Sequence, residues 1–238
     1  MNLSLISIVL PVYNQASFIQ VTVDKYIESL NKIPIKYEII LVVNSHKDDS
    51  FAICEKLSKT YPTVKAFQIP QSGWGRAVKF GIKQSQGDFI CYTNSARTKA
   101  KDLILFLLYS LANPDVVIKA NRKIRDSFLR RFGSLFYNIE CRSLYDLSNW
   151  DVNGTPKVFP RKFKKLLDLT RDDDLIDLEF NYVCREKEYP MLEIPIFFPQ
   201  RQGGKSTTGL KSAFSMYLGA WRIKKTLENH YKDPHGRA

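Results

Sequence analysis

The sequence predicts an α/β fold, with a mostly parallel central sheet flanked by helices in a single domain. Three observations carry that reading. Apolar runs of strand length alternate with segments of helical period from Leu5 to Ala120. The turns between them are short, which leaves no linker before about residue 210. No window approaches the ~20 consecutive apolar residues that span a bilayer, so the apolar runs read as core.

Each element has its own signal. Leu5 to Val12 is a continuous β run, and Phe18, Val21, Tyr26 and Leu30 recur at helical spacing over 17–30. Tyr37 to Val43 is a second strand, and Asp48 or Asp49 could cap the helix carrying Ile53, Leu57 and Tyr61. Val64 to Ile69 is a third strand, followed by a helix over Trp74 to Gln84. Asp88 to Thr93 is the fourth strand, then a helix Lys101 to Leu111 and a strand Asp115 to Ala120. Such alternation implies parallel pairing with crossover helices. Farther on, Ser127 to Leu144 patterns as a long amphipathic helix, with Arg130 and Arg131 beside Phe132, Leu135 and Phe136. A basic helix is expected around Arg161 to Lys165, a helix after Asp172-Asp173-Asp174, and a β run from Met191 to Phe198. The domain is expected to span 1–210, with an amphipathic helix and tail over 211–238.

Composition narrows the partners. The chain holds 36 Lys and Arg against 24 Asp and Glu, a formal charge of +12. That excess favours an anionic partner: nucleic acid, acidic membrane surface or phosphorylated substrate. No nucleic-acid module is recognisable, so nucleic acid is not expected. Cys54, Cys91, Cys141 and Cys184 lie far apart, and His46, His230 and His235 have no metal-ligand spacing. The cysteines therefore read as reduced thiols in a cytosolic compartment. Met1-Asn2-Leu3-Ser4 lacks the basic and apolar regions of a leader.

The chemistry-bearing residues gather at strand ends, where open α/β sheets bind ligands. The first strand ends in Pro11-Val12-Tyr13-Asn14-Gln15, the second in Val43-Asn44-Ser45, and the fourth in Asn94-Ser95-Ala96-Arg97. Gly73-Trp74-Gly75-Arg76 to Gly81 lies between them. Asp151 to Phe159, then Asp177-Leu178-Glu179, then Arg201-Gln202-Gly203-Gly204-Lys205-Ser206 complete an ordered series. In order and spacing the series resembles family 2 glycosyltransferases of the GT-A fold, and within them the polyprenyl-phosphate sugar synthases.

The resemblance implies a sugar transferred, with inversion, from a nucleotide-sugar donor to a polyprenyl phosphate or another membrane-linked acceptor. It implies donor contacts from Pro11, Tyr13, Gln15, Asn44, Ser45, Arg76, Asn94, Ser95 and Arg97. Arg201, Lys205 and Ser206 would clamp phosphate, and Arg122, Asp177, Arg201 and Lys205 would carry catalysis. Such enzymes place paired carboxylates after the fourth strand to hold Mg²⁺ or Mn²⁺; here stand an amide, a hydroxyl and a methyl. Asn94 keeps one carbonyl oxygen that could ligate a metal, Ala96 none, and Asp172-Asp173-Asp174 is the fallback cluster. A non-catalytic nucleotide- or lipid-phosphate-binding protein on the same fold is the alternative. The two amphipathic helices fit peripheral contact with an anionic membrane, on its inner face.

Overall fold

The computed structural model describes residues 4–44, 47–124, 128–197 and 210–231. Seven strands form one sheet in the order β3-β2-β1-β4-β6-β5-β7. They are β1 (Leu5–Val12), β2 (Lys36–Val43), β3 (Val64–Gln68), β4 (Phe89–Tyr92), β5 (Val117–Ile124), β6 (Lys157–Pro160) and β7 (Met191–Phe197). The helices are α1 (Ile19–Leu30), α2 (Ser50–Thr60), α3 (Trp74–Gln84), α4 (Ala100–Ala112), α5 (Phe128–Tyr145), α6 (Ile176–Glu186) and α7 (Leu210–Tyr231).

The molecule has three layers. One face of the sheet packs Ile6, Ile8, Leu10 and Ile39 against α1, α2 and α4. The other packs Val9, Ile40, Ile90 and Phe159 against α3, α5, α6 and α7. Alternation along β1 sends successive side chains to opposite faces, and both faces are covered, so the strand reads as one apolar run. Helix α7 buries Ala220, Ile223, Leu227 and Tyr231 in the second core, and the Tyr145 hydroxyl donates to the Ala220 carbonyl.

Strand β6, for which no direction was expected, runs antiparallel to both β4 and β5. The basic stretch after it is a short 3₁₀ helix at Lys164–Leu167 rather than an α-helix. The N-terminal ends of the strands are tied by polar groups. Asp88 accepts from the Leu5 N–H at 2.9 Å, and Glu38 accepts from Ser7 (2.6 Å), Lys65 (2.7 Å) and the Gln86 N–H (2.7 Å). Burial pushes the Glu38 carboxyl up, but those hydrogen bonds together hold it below its ordinary value. All four cysteines are buried and unpaired.

Candidate active site

Strands β1 and β4 are neighbours, but the chain passes from β1 to β2 on one side and from β4 onward on the other. A crevice opens past the carboxyl ends at such a switch point. Gln15 and Ser95 meet across it: the Ser95 hydroxyl donates to Gln15 Oε1 at 2.6 Å, with both side chains buried. The loop after β1 is pinned to α2, since the Gln15 N–H donates to Ser50 Oγ (2.8 Å) and the Ala16 N–H to Asp48 (3.0 Å). Asn14 takes φ +50° there, a left-handed conformation that asparagine tolerates. Pro11 lies buried inside β1 opposite Val42, and Tyr13 is half-buried past its end. Asn44 donates Nδ2 to the Gly73 carbonyl at 3.0 Å. Its Oδ1 is buried and accepts no hydrogen bond among the described residues.

The turn after β4 is internally satisfied. Asn94 Oδ1 accepts from the Ala96 N–H at 3.1 Å, while its carbonyl accepts from the N–H groups of Arg97 (3.0 Å) and Thr98 (2.9 Å). Thr93 and Thr98 share a hydroxyl hydrogen bond of 2.6 Å, and Tyr26 donates to the Thr98 carbonyl at 2.8 Å. Ala96 is fully buried. A hard divalent cation takes 6–8 oxygen ligands, typically with carboxylates among them. This turn offers one amide oxygen that already accepts a hydrogen bond, one buried hydroxyl and a methyl. Its donor set does not fit such an ion.

Behind the turn a charged row crosses the sheet. Register places Tyr92, Lys157, Lys119 and Glu193 side by side on β4, β6, β5 and β7. Asp177, on α6, accepts from the Tyr92 hydroxyl (2.9 Å), from Trp74 Nε1 (3.2 Å) and from the Lys157 ammonium. Lys119 donates to Glu193 at 2.8 Å and to the Asp151 carbonyl. Burial brings the Lys157 pKa down to about 8; Asp177 opposes the fall and neighbouring Lys119 adds to it. Burial, and then Asp177, push the Tyr92 phenol well above its ordinary value. At the end of β5, Asp151 grips Arg122 through Nε (2.6 Å), Nη2 (2.7 Å) and the backbone N–H (2.9 Å). Burial lowers the Arg122 pKa, but Asp151 outweighs it and the guanidinium stays charged. Arg122, Lys123, Leu135 and Trp150 line a cavity of about 240 Å³.

Gln15, Asn94, Ser95 and Arg97 thus gather at the switch point, and Arg122 borders the cavity at the end of β5. Arg76 is engaged elsewhere, with Asp172 at 3.0 Å and the Ser72 carbonyl at 3.3 Å. The glycines around it approach the chain's own backbone. A Cβ on Gly75 would lie 2.5 Å from the Arg171 carbonyl oxygen, and one on Gly73 would lie 2.6 Å from that of Asp172. In the acidic run Asp172 pairs with Arg76 and Lys79 and Asp173 with Arg171, and among the described residues no group of three or more His, Cys, Asp or Glu side chains is placed to hold an ion. Ser45, Arg201, Lys205 and Ser206 lie outside the described residues. Lys119, Lys157 and Glu193 had no assigned role in the sequence. A lysine between Ile118 and Ala120, inside an apolar β run, was the available signal, because a buried lysine requires a partner.

Comparison with known proteins agrees with this geometry. A protein of Pectobacterium atrosepticum, undecaprenyl-phosphate 4-deoxy-4-formamido-L-arabinose transferase, is 27% identical over 84% of this chain and 62% of its own length. An uncharacterised glycosyltransferase of Rickettsia conorii is 25% identical over 72% of this chain and 30% of its own. The chain therefore spans between about a third and two thirds of these relatives. Among solved structures, glucosyl-3-phosphoglycerate synthase from Mycobacterium tuberculosis, in complex with Mn²⁺, UDP-glucose and phosphoglyceric acid, superposes with a TM-score of 0.71. It does so at 13% identity, over 97% of this chain and 82% of that one. That likeness shows the fold. The family model described as glycosyl transferase family 2 matches residues 7–167, more than half of the chain, and the chain belongs to that family.

Proposed function

We propose that the protein transfers a sugar from a nucleotide-sugar donor to a polyprenyl phosphate or another membrane-linked acceptor, with inversion. The observation that carries this is the amphiphilic cavity at the end of β5. Lys123 supplies positive charge at its wall, Arg122 stands there paired with Asp151, and Leu135 and Trp150 supply apolar surface. A lipid phosphate has the matching two-part chemistry. The apolar surface also continues outward: Phe136 and Ile139 are exposed on α5, and Leu218 and Trp221 on α7. Exposed tryptophans beside exposed Arg222 and Lys225 suit the interface of an anionic membrane.

The donor sits past β1, β2 and β4. Asn44 Oδ1, buried and without a hydrogen-bond partner among the described residues, is an acceptor for a base N–H. Tyr13 gives an aromatic face, and Arg97 a charge for the diphosphate. A phosphate monoester with a second pKa near ~6 is already anionic at neutral pH, so no general base is required. Its oxygen bonds to the anomeric carbon from the side opposite the diphosphate, whose bond to that carbon breaks with both electrons. Asp177 is then a positioning residue: paired with Lys157, it holds Tyr92 and Trp74 beneath the turn. Arg201, Lys205 and Ser206 are assigned to the phosphate and Ser45 to the base.

Transfer from a panel of nucleotide sugars to a short polyprenyl phosphate tests the reading. Arg122→Ala is expected to lower transfer at least ~100-fold, since it removes a charge that stabilises the transition state in a desolvated site. Wild-type rates in that variant would remove Arg122 from the mechanism. Binding of a nucleotide without transfer of any sugar would favour a non-catalytic binding protein, a reading for which the missing carboxylates speak.

A further inference from the structure

Trp150 and Asp151 lie in neither helix nor strand, and one carboxylate supplies the partners that a ladder would give them. Glu193, on the edge strand β7, accepts four hydrogen bonds. Its Oε2 takes the Trp150 N–H (2.8 Å) and Asn121 Nδ2 (3.3 Å), and its Oε1 takes the Asp151 N–H (3.1 Å) and Lys119 Nζ (2.8 Å). A carboxylate offers about four lone-pair sites, so this one is filled. Lys119, the register partner of Glu193 on β5, also donates to the Asp151 carbonyl. One ion pair therefore holds Asp151 at both its N–H and its carbonyl, while the Asp151 side chain grips Arg122.

These contacts shape the cavity at the end of β5. Asn121, Arg122, Trp150 and Asp151 all line it, and each is bound by Glu193 or by the Asp151 that Glu193 holds. Partnering the buried lysine requires one oxygen of Glu193. The other goes wholly to the cavity wall, at Trp150 and Asn121. The Trp150 ring is propped separately: the Arg142 guanidinium of α5 lies over it, 3.9 Å from the centroid, and Arg142 Nε donates to the Leu147 carbonyl at 3.2 Å. A wall fixed before its ligand arrives needs no ordering on binding, which spares that entropic cost.

We infer that Glu193 is a positioning residue for the acceptor. It sets the Trp150–Asp151 wall and, through Asp151, the orientation of Arg122, so that an amphiphile with an anionic phosphate head meets a preformed cavity. The inference rests on the reading that this cavity receives the acceptor, and adds the residue that gives the cavity its shape. All four hydrogen bonds of Glu193 go to β5 or to the loop before β6. Its effect is therefore expected on the acceptor and not on the nucleotide.

The probe is farnesyl phosphate, a short polyprenyl phosphate, titrated calorimetrically into wild type, Glu193→Gln and Glu193→Asp alongside UDP, GDP, ADP, CDP and dTDP. Glutamine keeps the length but turns a donor toward donors of the wall. Aspartate keeps a charge for Lys119 but falls one methylene short. Farnesyl phosphate is expected to bind about tenfold more weakly in each variant, while the nucleoside diphosphate that binds wild type keeps its affinity within about twofold. In the transfer assay the KM for farnesyl phosphate is expected to rise by about the same factor, with the KM for the donor unchanged. Wild-type affinity for farnesyl phosphate in a variant whose thermal melt matches wild type overturns the inference and leaves the acceptor reading standing. An equal fall for both classes of ligand also overturns it, because a general structural role would do that. A wild type that binds no farnesyl phosphate contradicts the acceptor reading and takes the inference with it. If neither variant folds, hydrogen exchange on wild type decides. Farnesyl phosphate is expected to slow exchange of the Trp150 and Asp151 amides, and unchanged exchange there overturns the inference.

Discussion

At the level of single residues, the buried lysines set the electrostatics of the site. Lys157 has no exposed side-chain surface and faces Asp177. Replacing it with methionine leaves a carboxylate buried without its cation, so Lys157→Met is expected to lose about 3–5 kcal/mol of stability in urea unfolding. Adding Asp177→Asn removes the orphaned charge and should recover part of the loss. A double variant no more stable than the single would mean that the pair is not coupled. Ser95→Ala should cost about 1–3 kcal/mol, because it leaves a buried Gln15 oxygen without its donor. These residues show what the sequence could convey. The switch-point pair Gln15 and Ser95 was legible because each follows an apolar strand. The Lys157–Asp177 pair was not, since it joins β6 to α6 across the sheet and depends on β6 running antiparallel. Nothing in four residues of strand announces that direction.

Among the elements, α3 is the one whose limits the sequence places directly. Its limits, Trp74 to Gln84, follow from the sequence period. Its glycines admit close neighbours from the same chain, the Arg171–Asp173 backbone at Gly73 and Gly75 and the Val9 side chain of β1 at Gly81. Gly75→Ala is therefore expected to destabilise by roughly 1–3 kcal/mol through overpacking, measured as a lower midpoint in urea at unchanged slope. A neutral effect would mean that the loop yields freely. The strand ends opposite the site make a pH prediction. Glu38 sits below its ordinary value in the folded protein, so in the acid range the unfolded chain binds the proton more readily. Its contribution is complete above the unfolded pKa of about 4.3 and is lost as pH falls through the folded value. Glu38→Gln should flatten that part of the stability–pH curve. An unchanged slope would show that the carboxylate's hydrogen bonds contribute nothing.

For the whole molecule, the sheet order brings the carboxyl ends of β1 and β4, where we propose that the donor binds, and the cavity at the end of β5 to the same edge of the sheet. Leu135 of α5 lines that cavity and is exposed, and Leu218 and Trp221 are exposed on α7. Co-sedimentation with anionic vesicles is expected for the wild type and is expected to fall several-fold in Trp150→Ala/Trp221→Ala, since removing an aromatic ring from each side reduces interfacial burial. Equal sedimentation of the two would assign the patch another role. No helix among the described residues is long and apolar enough to cross a membrane, so such contact would be peripheral for the described part. The layered α/β architecture could be read from alternating periods alone. The placement of α7 in the core could not, because an amphipathic period suits a membrane interface and a protein face equally.

The most direct test of the proposed function is chemical. The protein is incubated with radiolabelled nucleotide sugars and a polyprenyl phosphate in vesicles, and label entering the organic phase is counted. Label transferred from at least one donor, with release of the nucleoside diphosphate, is the expected result. A complete panel of donors giving no organic-phase label, from protein that binds a nucleotide diphosphate, would contradict it.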